Sequence, residues 1–282
     1  MSEGTILDRI VAQRRKDIEQ AKRDAPFAAL QEQARHAPPP IGFVARLRSD
    51  APMALIAEIK RASPSRGDIA PDIDAAEQGW RYASAGASGI SVLTEPTWFK
   101  GNLDDLLAVR RAIEVCGPGR PAVLRKDFIV DEYQVLEARA YGADAVLLII
   151  SCLTEAMLRG LKTCIEDMGM TAVIEVNNAD EMARAIGAGA AFIGVNNRDL
   201  RDFSVDPNTT GRLAALAPVG TMLAAFSGIQ SRADVEQYAA LGATAVLVGE
   251  SLMRAEDAEA KVKELRGVRD SQSTISDSSA GE

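Results

Sequence analysis

Two glutamates and two lysines lie within or beside short apolar runs, where they are suited to acid–base chemistry. Glu58 and Lys60 are two positions apart, so on a strand both side chains face the same way. Lys126 directly follows a second such run, and Glu175 lies inside a third. An unpaired buried carboxylate is costly, so we expect Glu175 to pair with one of the two lysines. A desolvated lysine near a second cation has a lowered pKa, which suits proton donation to a substrate.

The elements that must position these side chains are indicated by a repeat. A Gly-Ala pair precedes a short apolar run four times, beginning at Gly86, Gly142, Gly189 and Gly242. Intervals of about 50 residues fit two strand–helix units each, and such a period is typical of a repeated architecture. Runs that are apolar at consecutive positions suit strands buried on both faces of a parallel sheet. The sequence therefore predicts an α/β protein, a (β/α)8 TIM barrel whose chemistry lies at the carboxyl ends of the strands.

Eight strands and three segments of the chain follow from this pattern. The predicted strands are 53–59, 90–94, 122–125, 145–150, 172–176, 192–195, 222–226 and 245–248. The barrel covers 49–267, after a helical extension over 1–48 and before a disordered, Ser-, Asp- and Gly-rich tail over 268–282. Helices are predicted over 5–24 and 27–33, and their apolar face most simply covers one end of the barrel. Because the chain opens on a methionine, we expect a single-function protein, although the tail equally suits the stub of a linker to a further domain.

Glycines follow the last two predicted strands, in the pairs 227–228 and 249–250. A glycine lets a backbone N–H approach an anion closely, and the start of a helix favours negative charge. The loops after strands seven and eight are also the usual phosphate site of such barrels. We therefore expect a phosphate site here, which Arg198 or Ser63 would complete.

Composition limits the classes of partner and chemistry. The net charge of −8 argues against a nucleic-acid partner, and no apolar run is long enough for a membrane-spanning helix. Three widely spaced cysteines predict neither a disulfide framework nor a zinc site, so a reducing, cytoplasmic location is expected. No dinucleotide fingerprint, phosphate-binding P-loop or His-containing metal cluster occurs, so we expect neither cofactor nor metal. His36, the single histidine, lies in a Pro-rich stretch typical of a solvated loop, which leaves Lys, Glu and Asp as acids and bases.

Several segments together resemble the indole-3-glycerol-phosphate synthase family. They are Ile59-Lys60-Arg61-Ala62-Ser63-Pro64-Ser65, Ser91-Val92-Leu93-Thr94-Glu95 with Phe99-Lys100-Gly101, Leu124-Arg125-Lys126-Asp127-Phe128-Ile129, Gly194-Val195-Asn196-Asn197-Arg198-Asp199-Leu200 and Ser227-Gly228-Ile229. The resemblance runs in order from about residue 5 to about residue 265. It implies a carboxy-lyase of tryptophan biosynthesis, which closes the indole ring of 1-(2-carboxyphenylamino)-1-deoxyribulose 5-phosphate with loss of carbon dioxide and water. The implied partner is this phosphorylated small molecule, with possible association with other enzymes of the tryptophan pathway.

The resemblance also implies a role for each catalytic side chain. Lys126 would be the general acid that protonates the ribulose carbonyl oxygen as the aryl carbon attacks it. Lys60 would contact the substrate carboxylate and assist the later dehydration, for which Glu175 would be the general base. Glu58 and Asn196 would orient these groups and the substrate hydroxyls.

Substrate-binding residues are implied in the same way. The apolar wall against the anthranilate ring would consist of Phe99, Phe128 and Leu147. The phosphate would be held by residues around the last strand ends, namely Ser63, Arg198, Ser227, Gly228, Gly249 and, through its backbone N–H, Glu250. In this family the helical extension lies over the catalytic mouth.

Two positions depart from the family pattern. Most members have glutamate where this chain has Phe226, and histidine where it has Asn177. Similar changes resemble the fungal-type branch, in which the synthase is often one domain of a multifunctional polypeptide. The alternative is that Phe226 removes a useful carboxylate and leaves a catalytically impaired or repurposed phosphate-binding relative.

Other readings of the same barrel remain open at this point. A phosphoribosylanthranilate isomerase-like enzyme needs an aspartate and a cysteine at strand ends, and Cys152 has no suitable carboxylate partner other than Glu58. A Schiff-base aldolase would form an imine on Lys126, and a non-catalytic phosphate-binding module would show no turnover. Separately, the Pro-, Ser- and Gly-rich segment 61–72 is expected to close as a lid over the substrate.

Overall fold

Eight parallel strands close into a barrel, as a computed structural model of residues 5–199 and 204–268 shows. The barrel strands are β1 (Ala54–Ile59), β4 (Gly89–Leu93), β5 (Ala122–Lys126), β6 (Ala145–Ile149), β7 (Thr171–Val176), β8 (Phe192–Asn196), β9 (Met222–Phe226) and β10 (Ala245–Val248). Two further short strands, β2 (Ala62–Ser63) and β3 (Gly67–Asp68), form an antiparallel hairpin after β1. β1 pairs with both β4 and β10, which closes the barrel and confirms the predicted fold.

Helices surround the barrel and precede it. They are α1 (Ile6–Asp24), α2 (Phe27–His36), α3 (Phe43–Arg48), α4 (Ala75–Ser84), α5 (Leu103–Ala112), α6 (Glu132–Ala140), α7 (Glu155–Asp167), α8 (Ala179–Gly187), α9 (Thr209–Ala214), α10 (Arg232–Ala240), α11 (Glu250–Met253) and α12 (Ala258–Arg266). Within the described ranges, no helix is both long and apolar enough to cross a membrane. Of the tail expected over 268–282, all but Val268 lies outside the described residues.

The Gly-Ala repeat has a local cause in the turns between helices and strands. Gly86, Gly142, Gly189 and Gly242 directly follow the C-caps of α4, α6, α8 and α10, with φ angles of 88°, 85°, 70° and 96°. Only glycine adopts this left-handed conformation without a steric penalty, so it ends each helix and turns the chain back toward the barrel. The alanine after each of these glycines is buried at the entry to the next strand. The sequence period therefore marks every second helix–strand turn.

The strands themselves match the sequence prediction closely. Each observed barrel strand begins and ends within one residue of the predicted range. All positions of these strands are buried except two. Lys126, at the end of β5, points into the barrel mouth, and Thr171, at the start of β7, is half-buried. Burial on both faces explains why the strands are apolar at consecutive positions.

α3 closes the amino-terminal end of the barrel, and the sequence did not predict this helix. Phe43 and Leu47 are fully buried and belong to the interior cluster of the barrel. The ring of Phe43 meets that of Phe192, the first residue of β8, edge-on with 5.4 Å between centroids. Six residues with two arginines are too short a stretch to show a helical period.

α1 lies at the opposite end, across the mouth of the barrel. Leu7 and Ile10 on its buried face join the same interior cluster as Phe128 and Ile149 at the carboxyl ends of β5 and β6. The extension therefore covers both ends of the barrel, α1 the mouth and α3 the floor, whereas the apolar pattern suggested one end.

Candidate active site

The carboxyl ends of the strands surround a cavity of about 820 Å³. Every candidate site residue from the sequence lines it: Glu58, Lys60, Ser63, Phe99, Lys126, Phe128, Leu147, Glu175, Asn196, Arg198, Ser227, Gly228, Gly249 and Glu250. The barrel brings together residues that are far apart in the chain because all parallel strands end at the same rim.

Two ion pairs form the polar base of the cavity. Lys126 Nζ lies 3.5 Å from Glu175 Oε2, and Lys60 Nζ lies 3.0 Å from Glu58 Oε2. Both glutamates are buried, with relative exposures of 5% for Glu58 and 3% for Glu175. The partner expected for Glu175 is therefore Lys126, reached past the intervening strand β6.

The pKa of Lys126 is raised, contrary to the lowering considered from the sequence. Burial pushes the pKa of this lysine down, but the negative charges of Glu175 and Glu58 outweigh that effect. The expectation was wrong because carboxylates, and not a second cation, dominate the surroundings of the ammonium. Lys126 is consequently protonated at neutral pH and carries a proton that it can donate.

Asn196, the last residue of β8, holds Glu175 in place. Its Nδ2 donates to Glu175 Oε1 at 2.9 Å, while its Oδ1 accepts from Ser227 Oγ at 2.9 Å and from the Arg198 backbone N–H at 3.1 Å. Asn177 in turn donates its side-chain N–H to the Asn196 carbonyl at 2.8 Å. Among the described residues, Glu175 Oε2 receives no hydrogen bond. The contact of this oxygen is the longer ion pair with Lys126 at 3.5 Å, while the other oxygen is fixed by Asn196.

One wall of the cavity is apolar. The rings of Phe99 and Phe128 are tilted against each other with 6.0 Å between centroids, and the buried Leu147 also lines the cavity. A planar aromatic group of a ligand would pack against this wall, since aromatic pairs prefer tilted or offset contacts of this kind.

Glu95 supports that wall, although sequence reasoning gave it no role. Its fully buried carboxylate accepts the backbone N–H groups of Thr97, Trp98 and Phe99 at 2.7–2.9 Å. Burial raises the pKa of Glu95 more than these three hydrogen bonds lower it. The signal in the sequence was a carboxylate and a proline directly after a strand, which marks a turn that needs an acceptor.

The opposite end of the cavity has backbone N–H groups at two glycines. Ser227 and Gly228 both have left-handed φ angles, 68° and 82°, in the turn after β9. Gly249 lies so close to Glu58 that a Cβ there would be 2.3 Å from Glu58 Oε2. A side chain at this position would displace Glu58, so the glycine also maintains the Glu58–Lys60 pair.

The β2–β3 hairpin leans over the cavity and is tied at two points. Asp68 Oδ1 lies 2.6 Å from Lys100 Nζ, and Arg66 Nε lies 3.1 Å from Glu250 Oε1. Arg66 lines the cavity, a position that the sequence analysis did not assign. These are exposed or half-exposed ion pairs, which are individually weak.

Asp127 is a buried hub directly after Lys126, and its structural role was also missed. It accepts hydrogen bonds from Arg14 of α1 at 3.0 and 3.1 Å, from Thr94 at 2.7 Å and from Arg125 at 3.0 Å. Burial alone would raise the pKa of Asp127, but Arg14 and Arg125 outweigh it and hold the pKa below its ordinary value. The hub thus fastens α1 to the end of the strand that carries Lys126.

Comparisons with known proteins agree with this geometry. The profile of the family described as "Indole-3-glycerol phosphate synthase" matches residues 7–265. A "Multifunctional tryptophan biosynthesis protein" of Phycomyces blakesleeanus is 52% identical over 271 residues, 94% of this chain and 35% of that protein. An "Indole-3-glycerol phosphate synthase" of a Roseiflexus species is 46% identical over 265 residues, 93% of this chain and 98% of that protein.

Solved structures share the fold at low identity. A 3-hexulose-6-phosphate synthase superimposes with a TM-score of 0.59 and 20% identity, over 77% of this chain and 99% of that one.

The chain spans about a third of the length of the fungal relatives, but nearly all of the bacterial one. On the profile match and these identities, the chain belongs to the indole-3-glycerol phosphate synthase family.

Proposed function

We propose that the protein is an indole-3-glycerol-phosphate synthase, which converts 1-(2-carboxyphenylamino)-1-deoxyribulose 5-phosphate into indole-3-glycerol phosphate. The observation that carries this proposal is the position of Lys126, 3.5 Å from Glu175, between an apolar wall and a glycine-lined end of one cavity. Membership of the family supports it. The site offers both a proton donor and a proton acceptor for the two stages of the reaction.

In the first stage, the aryl carbon that bears the carboxylate attacks the ribulose carbonyl carbon. Lys126 donates its proton to the carbonyl oxygen, which becomes a hydroxyl group. The bond to the carboxylate then breaks, carbon dioxide leaves, and the electron pair restores the aromatic ring. The raised pKa of Lys126 keeps the donor charged before this step.

In the second stage, the new hydroxyl group leaves as water. Glu175 Oε2 accepts a proton from the adjacent carbon, and the carbon–carbon double bond of the indole forms. Before decarboxylation Lys60, beside Glu58, contacts the substrate carboxylate; in this second stage it donates the proton with which the hydroxyl group leaves as water. Asn196 keeps Glu175 oriented through its 2.9 Å hydrogen bond.

Substrate orientation follows from the two ends of the cavity. The anthranilate ring packs against Phe99, Phe128 and Leu147. The phosphate lies at the opposite end, where Ser63, Arg198 and the Ser227, Gly228, Gly249 and Glu250 segments line the cavity. Backbone N–H groups and a cation at this end suit a phosphate dianion.

The decisive test is the fluorescence of indole-3-glycerol phosphate when the purified chain meets this substrate without added metal or cofactor. We expect steady product formation. Substrate binding without product would favour the impaired or repurposed phosphate-binding relative.

Borohydride treatment with substrate should leave Lys126 unmodified. A covalent adduct on Lys126 would instead indicate a Schiff-base aldolase. An isomerase using Cys152 is disfavoured, because burial raises the pKa of its thiol to about 12 and Cys152 is outside the cavity lining.

We also propose association with other tryptophan-pathway enzymes and a cytoplasmic location. The multifunctional relatives support the first, since a chain of this kind forms about a third of each of them. The three free thiols of Cys116, Cys152 and Cys164 support a reducing compartment. Co-purification with pathway enzymes at native expression levels tests the association, and purification of the protein alone would contradict it. Cell fractionation tests the location, and recovery of the protein outside the cell would contradict it.

The segment 61–72 is proposed as a lid, because its hairpin is tied across the cavity to Lys100 and Glu250 by weak, exposed or half-exposed ion pairs from Asp68 and Arg66. We expect backbone amides of this segment to exchange more slowly when inorganic phosphate or product is bound. Hydrogen exchange followed by mass spectrometry measures this, with α7 on the barrel exterior as the internal control. Identical exchange with and without ligand would contradict closure.

A further inference from the structure

Phe226 ends β9 inside the mouth of the barrel. It is 2% exposed, and it lines the cavity. Its carbonyl accepts both the backbone N–H of Asn197 at 3.0 Å and the side-chain N–H of Asn197 at 2.9 Å. The backbone that carries the ring is therefore fixed.

The ring of Phe226 lies on the backbone of Gly194 in the neighbouring strand β8. A Cβ on Gly194 would be 2.3 Å from Cε2 and 2.4 Å from Cζ of the ring, so only glycine leaves room for it. Gly194 is in register with Glu175 on the next strand, β7. The ring therefore extends from β9 across β8 toward the strand that carries the proposed base.

The ammonium of Lys126 lies over this ring, with 5.9 Å between Nζ and the ring centroid. The face of an aromatic ring is the negative end of its quadrupole and attracts a cation at this distance. The attraction is stronger at a desolvated site, and the Lys126 side chain is only 17% exposed. Glu175 on one side and the ring face on another thus define where the ammonium rests.

We propose that Phe226 is a positioning residue for Lys126: its ring face holds the ammonium beside Glu175, at the place where a substrate oxygen must receive the proton. The inference rests on the proposed function and extends it to a residue that touches the acid, not the reacting atoms. An aromatic ring does this without adding charge.

A spectroscopic experiment tests the contact itself. In protein labelled with ¹³C-lysine, the ε-methylene signal of Lys126, identified by its loss in Lys126→Arg, is expected upfield of the other lysines through the ring current of Phe226. The signal should return to the ordinary lysine position in Phe226→Leu. It should stay upfield in Phe192→Leu, the same change in the same barrel interior but at the floor, beside Phe43. A Lys126 signal that Phe226→Leu does not move would overturn the proposal.

A kinetic experiment tests the consequence for the reaction. Replacing Phe226 by its mono-, tri- and pentafluorinated analogues keeps the shape of the ring but progressively weakens the attraction for a cation. We expect kcat to fall in that order, by roughly tenfold at pentafluorophenylalanine, with KM within about twofold of wild type. The same analogues at Phe192 should leave kcat unchanged. A flat series at Phe226 would overturn the proposal, because a purely space-filling ring is insensitive to fluorination.

The two experiments separate this inference from the proposed function. Absence of turnover in the unmodified protein would contradict the synthase activity, and with it the positioning of a catalytic acid, whatever the NMR signal shows. Normal turnover with a flat fluorination series would leave the synthase intact and remove only the role of Phe226.

Discussion

Lys126→Ala folds but forms indole-3-glycerol phosphate far more slowly than wild type: we expect kcat to fall by about a thousandfold or more. General acid catalysis contributes roughly 10²–10⁴-fold on its own, and this lysine also stabilises charge on the carbonyl oxygen. Lys60 does not take its place, because it is already paired with Glu58 at 3.0 Å. Stopped-flow or steady-state fluorescence of the product measures the loss directly.

The same substitution leaves Glu175 buried without its ion-pair partner, which costs about 3 kcal/mol of folding stability. Urea denaturation therefore accompanies the kinetics, and assays are made well below the unfolding midpoint. The double variant Lys126→Met with Glu175→Gln should recover much of the stability but none of the activity. Lys162→Ala, which breaks an ion pair with Glu166 on the exterior helix α7, is the matched control with near-normal kcat. Near-normal kcat in Lys126→Ala would reject the assigned role.

Asp127→Asn lowers the free energy of unfolding by about 3–5 kcal/mol, the usual cost of removing one partner from a buried charge network. The variant leaves Arg14 and Arg125 facing a neutral amide in a fully buried place. Because Arg14 belongs to α1, the helix over the mouth should detach first. Urea unfolding gives the energy, and limited proteolysis within residues 5–24 reports the detachment.

Asp17→Asn is the control for this prediction. It removes the other carboxylate that pairs with Arg14, at 3.0 Å, but that carboxylate is 25% exposed and belongs to the same helix. A loss below about 1 kcal/mol is expected there. Equal losses of unfolding free energy in Asp127→Asn and Asp17→Asn would show that the buried Asp127 contributes no more to stability than the partly exposed Asp17.

The stability of wild type should also depend on pH through Asp127. Its folded pKa lies below the ordinary value of 3.8, so its contribution is complete above that value. The contribution disappears as the pH falls below 3.8 and through the folded pKa. The stability difference between wild type and Asp127→Asn should therefore be constant near neutrality and shrink in acid, and a difference that persists at low pH would contradict this assignment.

The strands and the cavity lining were predictable because both depend on local patterns. Four glycines with positive φ repeat at the period of two strand–helix units, and each precedes one of the strands β4, β6, β8 and β10. Once Glu175 and the two lysines are placed at strand ends, the barrel brings all three to one rim. Which lysine pairs with Glu175 was left open by the sequence, and the 3.5 Å contact shows that it is Lys126.

The pKa of Lys126 and the supports of the site were not predictable in this way. The direction of the pKa shift of Lys126 depends on whether a cation or a carboxylate lies nearer. Only the structure shows that the charges of Glu175 and Glu58 outweigh the effect of burial on this lysine. The Arg14–Asp127 contact joins residues 113 positions apart with no pattern linking them. The helix of Phe43 and Leu47 has too few residues to show a helical period, although these two side chains are completely buried.

The extension that covers both ends of the barrel also determines the order of assembly during synthesis. α1 and α3 leave the ribosome before the barrel strands, and their partners Asp127 and Phe192 are synthesised much later. Until β5 and β8 have emerged, the apolar faces of these two helices lack part of their packing, and contacts of such long sequence separation form slowly. The growing chain therefore exposes part of the apolar surface of α1 and α3 to chaperones and to other nascent chains until the barrel is complete. The same segment that covers both ends of the finished barrel is an aggregation hazard beforehand.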